Sequence, residues 1–95
     1  MEKFTIFLLR ELLTRDPNPV NYNGHTYTGA MQGGKPNGTG KLVYNSPQMI
    51  RTNDVKRRMA NAGDYFEGEF KNGEPTFGKF FNKAANKLVH MYFGG

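Results

Sequence analysis

The chain reads as a mainly β protein, an antiparallel hairpin meander of about six strands with an N-terminal helix and a short helix in an insertion, and three observations predict the sheet. The dipeptides Asn23-Gly24 and Gly33-Gly34 each separate two strand-like runs and can supply the paired positive φ angles of a two-residue hairpin turn. Between residues 27 and 44, side chains alternate with a period of two, so that Tyr27, Gly29 and Met31 share a face on the first strand and Gly38, Gly40, Leu42 and Tyr44 do the same on the second. Composition agrees: 8 Phe, 5 Tyr and 12 Gly with no Trp suit a glycine-and-aromatic sheet better than a helical bundle.

Taken in order, residues 1–16 place Phe4, Phe7, Leu8, Leu12 and also Leu9 and Leu13 at helical spacing, which predicts an amphipathic helix covering one face or end of the sheet. An in-plane interfacial helix, and a strand over 3–9, stay open as alternatives. Asp16-Pro17-Asn18-Pro19 stops the helix, because proline lacks a donor and disfavours the α region for its predecessor. The apolar run is too short for a signal peptide or a membrane span. The sheet region, 20–93, opens with a hairpin about Asn23-Gly24 and continues through the hairpin 27–44. An insertion at 45–64 follows, in which Thr52, Asn53 or Asp54 is expected to cap a short helix over 55–61 that Gly63 ends. Strands are expected again at 65–71, 77–82 and 87–93.

Glycine weakens strands, so alternating glycines require room for something bulky alongside. If Gly33-Gly34 forms the whole turn, Tyr27 falls opposite Gly40 and Gly29 opposite Gly38, and an aromatic ring can lie across a glycine backbone. The spacing Tyr27-x-Gly29, Gly34, Pro36-x-Gly38-x-Gly40 resembles the MORN repeat (membrane occupation and recognition nexus). Phe66-x-Gly68, Gly73, Pro75 resembles the first half of a second copy, with Phe66 in the tyrosine position and Phe77 and Lys79 where that family has glycines. The same turn register sets Phe77 against Gly68. The resemblance implies a binding or scaffold role: such repeats occur in membrane-contact proteins, in phosphatidylinositol phosphate kinases and in bacterial proteins where they accompany a catalytic domain.

Composition and motifs exclude several chemistries. With no cysteine there is no disulfide, thiolate metal site or cysteine nucleophile. Glu67 and Glu69 lie on one side of a strand, as a glycosidase pair must, yet they read as the polar face of a half-buried strand beside Lys71. His25 and His90 have no ligand spacing and read as ordinary sheet residues, His25 beside an exposed turn. Ser46 lacks a nucleophile-elbow context. The glycine-rich run 33–41 continues into a strand instead of opening a helix, so it is no phosphate loop. No catalytic, cofactor-binding or metal residue is assigned.

Lys and Arg exceed Asp and Glu by 13 to 8, a formal charge of +5 that favours anionic partners. Arg51, Lys56, Arg57 and Arg58 form its densest cluster, a candidate patch for acidic phospholipid, while the aromatics are committed to the sheet and nucleic acid is not expected. These features predict a non-catalytic binding or scaffold module, cytoplasmic or peripheral to the inner face of a membrane. The alternative is an accessory segment of a larger enzyme such as a kinase. An apolar final strand with little charge to guard its edge predicts weak self-association or a protein partner.

Overall fold

Three two-residue turns set the meander: Asn23-Gly24 (φ 53° and 87°), Gly33-Gly34 (62° and 80°) and Asn72-Gly73 (52° and 89°). Paired left-handed residues match the right-handed twist of the strands they join. A computed structural model of the chain describes residues 18–94. Its strands are β1 (Val20–Tyr22), β2 (His25–Gln32), β3 (Lys35–Val43), β4 (Gln48–Met49), β5 (Met59–Ala60), β6 (Tyr65–Lys71), β7 (Glu74–Asn82) and β8 (Lys87–Tyr92). Six form one antiparallel sheet in the order β1-β2-β3-β6-β7-β8, and β4 and β5 pair as a separate ribbon within the insertion. The meander in sequence order is therefore as expected, while the proposed helix over residues 1–16 lies outside the described residues.

Two bulges overturn the expected registers. Tyr27 pairs with Leu42 and Gly29 with Gly40, but Met31 pairs with Pro36, so Asn37, Gly38 and Thr39 face the single residue Ala30. The extra residues are accommodated because Gly38 takes φ 106° and the Tyr27 hydroxyl donates to Ala30 O at 2.7 Å, filling the space that the irregular ladder opens. In the second hairpin Gly68 pairs with Gly78 and Glu69 with Phe77, whereas Phe70 pairs with Pro75. Thr76 is the extra residue, held inward by donating its hydroxyl to Glu69 O at 3.1 Å. Phe77 consequently turns outward, 50 % exposed, and does not cover Gly68. Gly78 occupies the place that Gly40 has in the first hairpin, so the second unit differs by a shorter bulge and keeps its glycine.

The insertion contains no helix, contrary to the expectation for 55–61. The Asp54 carboxylate explains why: it accepts from the Lys56 and Arg58 amides at 3.2 and 2.9 Å and from the Arg58 guanidinium at 2.9 and 3.0 Å, closing a tight loop. Asn53 (φ 65°) and Arg57 (φ 52°) then adopt left-handed conformations that no helix continues through. The insertion folds back over the inner face of the sheet, where Ile50 and Ala60 join Tyr27, Leu42, Tyr44, Phe66, Phe70 and Phe80 in the buried core. Tyr44 is fixed there by donating to Ile50 O at 2.8 Å. Asp64, also buried, accepts from the Asn61 and Lys83 amides, both at 2.8 Å, and ties the insertion to the β7–β8 loop.

Candidate functional site

The repeat residues build the inner face. A Cβ on Gly40 would overlap the Tyr27 phenol, at 2.6 Å from Cε1, so the ring lies over this glycine although its backbone partner is Leu42. Around Gly29 and Gly68 the close neighbour is backbone instead: a Cβ on Gly29 would meet Thr39 O at 2.6 Å, and one on Gly68 would meet the Gly78 Cα at 2.6 Å. Gly73 makes room for the Tyr22 phenol beside the first turn and donates its amide to Pro36 O at 2.8 Å, which ties the third turn to the start of β3. Gly34 is a turn residue with open space at its Cβ, and Gly38 serves the bulge. Phe66 is fully buried, meeting Phe70 edge-on at 5.6 Å. Burial, reinforced by the charge of Glu69, pushes the Tyr27 phenol up to about 12. Tyr44 is likewise raised by burial, with Glu74 adding to the effect.

His25 departs from the sequence reading. It is 2 % exposed, accepts the Asn45 amide on Nδ1 at 2.9 Å and lies 2.7 Å through Nε2 from Gln48 Oε1. Nδ1 is thus the acceptor and Nε2 carries the proton, which holds the start of the insertion against β2. The signal was present in the period of two, which puts His25 on the face of Tyr27. His90 is exposed on β8. Among the described residues no group of three His, Asp or Glu side chains is placed to hold a metal ion.

The outward face is organised in cross-strand rows. Val43, Tyr65, Phe81 and Leu88 form an apolar row across β3, β6, β7 and β8, with Tyr65 and Phe81 stacked at 5.1 Å and the Lys41 ammonium 4.2 Å over the Tyr65 ring. Next to it Lys41, Glu67, Lys79 and His90 make a row of alternating charge. Beyond that lie Thr39, Glu69, Phe77 and Tyr92, in which Thr39 donates to the Glu69 carboxylate and the two aromatic rings stand 6.5 Å apart. Glu67 and Glu69 therefore belong to a solvated sheet surface, with lysine opposite Glu67 on both sides. Leu88 and Phe77 are each 50 % exposed and Tyr92 74 %.

The four basic residues of the insertion separate in their roles. Arg58 is bound to Asp54 and lies 4.4 Å from the Phe93 ring, and Arg51 donates to Phe93 O at 3.2 Å. These two arginines latch the end of the chain, whereas Lys56 and Arg57 are exposed. Hydrogen bonds from Arg58 and from the backbone hold the Asp54 carboxyl well below the usual carboxylate range, and the same bond raises Arg58 further. An open cavity of about 520 Å³ beside the latch is lined by Arg51, Asp54, Lys56, Glu74 and Phe93 among others, a mixed-charge wall. Among the described residues no helix is long and apolar enough to cross a membrane. Comparison with family models, with curated proteins and with solved structures finds no match to this chain.

Proposed function

We propose that the chain is a non-catalytic binding or scaffold module of MORN type that engages a protein through its outward sheet face. One observation carries this reading: large apolar side chains are displayed in two rows on that face while the inner face is filled by the insertion. An apolar surface bordered by charge is what a protein contact requires. Magnitude disfavours a membrane role for the insertion. Four free cations near an anionic leaflet would contribute ~4 kcal/mol, but with Arg51 and Arg58 committed only Lys56 and Arg57 stand clear, for ~2 kcal/mol, too little for stable attachment.

The test compares two double variants of the full chain in affinity capture from cells that express it, followed by titration with the purified captured protein. Phe77→Ser with Phe81→Ser should weaken that complex by at least about tenfold, whereas Lys56→Glu with Arg57→Glu should leave it unchanged. The opposite pattern, together with binding to acidic vesicles that salt abolishes, would overturn the reading in favour of a lipid-surface module.

A further inference from the structure

The two edges of the sheet are unlike. β1 has three residues and follows Pro19, so it offers little ladder to another strand. β8 has six residues, contains no proline, and among the described residues pairs on one side only. The Phe93 amide donates to Thr76 O at 2.6 Å, toward β7. Because backbone direction alternates along a strand, Val89 and Met91 also turn their N–H and C=O groups to β7, and Leu88, His90 and Tyr92 turn theirs to the open edge.

From this geometry we propose that the open edge of β8 pairs antiparallel with β8 of a second copy of the chain, about a two-fold axis at His90. The bonding groups are symmetric about that residue. His90 exchanges both hydrogen bonds with His90 of the second copy, and Leu88 exchanges both with its Tyr92. Facing side chains then agree on both surfaces: Leu88 meets Tyr92 outside, and Val89 meets Met91 inside. The outward rows also join across the axis, since Phe77 and Tyr92 of one copy run on into Leu88 and Phe81 of the other. Shifting the register by two residues in either direction parts the Leu88–Tyr92 contact: with the axis at Val89 His90 falls against Leu88, and with the axis at Met91 His90 falls against Tyr92 and Leu88 against Gly94.

Charge sets the direction of the salt effect. Each copy carries a formal charge of +5, with Lys79 and Lys87 on the strands that flank the axis, so the two copies repel one another electrostatically. Pairing through backbone and apolar groups therefore strengthens as salt rises, the reverse of lipid or nucleic-acid binding. The proposal rests on the outward face as a protein-contact surface, whose row it extends. A strictly monomeric chain would overturn the pairing and leave the capture of another protein through Phe77 and Phe81 standing.

The native chain has no cysteine, which permits a clean cross-linking test on the full protein. In the paired register the Cα atoms of the two His90 residues stand ~5.5 Å apart, while the two Leu88 residues are offset by ~14 Å along the strands. A short bifunctional thiol reagent should therefore join His90→Cys into covalent dimers at least about tenfold faster than Leu88→Cys. Sedimentation of the unmodified chain should show mass rising toward dimer as concentration approaches about 1 mM, more so in high salt. Equal cross-linking rates for the two variants, or an unmodified chain that stays monomeric up to that concentration, would overturn the proposal.

Discussion

Gly29 and Gly68 sit where two backbones approach too closely for a side chain, and each has a glycine as its strand partner, Gly40 and Gly78. Gly29 adds a φ of 144°, outside the range that branched residues tolerate. Valine at either position must therefore push the strands apart, and each variant should lose at least ~1 kcal/mol, within the range of ~1 to 3 kcal/mol typical of overpacking. Thr28, next to Gly29 on β2, points to the outward side, where valine suits a strand, so Thr28→Val should stay within ~0.5 kcal/mol of the parent. Urea midpoints for the three variants check this; equal midpoints would remove the close-approach argument. The glycines were legible as places of tight packing because their alternation has no other use in a strand. Their partners were not. Whether a ring or a backbone fills the space depends on bulges at Gly38 and Thr76, and a bulge leaves no periodic mark in the sequence.

At the scale of elements, turns and strands were readable and the insertion was not. Asn23-Gly24 and Gly33-Gly34 announce themselves chemically, and the strands between them alternate regularly. Around the expected helix at 55–61, Asp54 and Arg58 stand four apart, the spacing of a helical ion pair, and Thr52, Asn53 or Asp54 offers a cap. The same pair instead closes a non-helical loop, since the Asp54 carboxylate bonds to two nearby amides as well as to the guanidinium. This loop makes the insertion sensitive to acid. Asp54 has a folded-state value depressed below its unfolded one, so its stabilising contribution is complete above the ordinary Asp range near ~4 and is lost as pH falls through that range toward the depressed value. Amide signals of Lys56, Arg58 and Phe93 should therefore hold steady through the ordinary Asp range near ~4 and shift together only as pH falls on toward the depressed value, with Arg58 then leaving the Phe93 ring. In Asp54→Asn the shift of these three signals should be absent. Its persistence in that variant would place the acid-sensitive group elsewhere. Because the guanidinium of Arg58 is partly exposed, salt screens part of the effect.

For the whole molecule, a single sheet has two faces, and the described residues cover one. Tyr44, Ile50, Ala60 and Phe93 close the inner side, so the insertion serves the core instead of standing apart as a charged arm. Recasting the four basic residues in this way changes the functional expectation: two of them latch the C-terminal segment, and the larger display is the apolar outward face with the unpaired β8 beside it. The MORN-like spacing pointed to a binding module without naming a surface, since its motif positions, Tyr27, Gly40, Phe66 and Gly68, all look inward. What distinguishes the surface is outward-facing residues such as Phe77, whose orientation depends on the Thr76 bulge. The arrangement of covered face, open face and open edge is tested most directly by residue-resolved amide hydrogen exchange along β8 in dilute solution. Val89 and Met91 should be protected by their bonds to β7 while Leu88, His90 and Tyr92 exchange freely. Uniform protection, or none, along Lys87–Tyr92 would contradict an edge strand held on one side only.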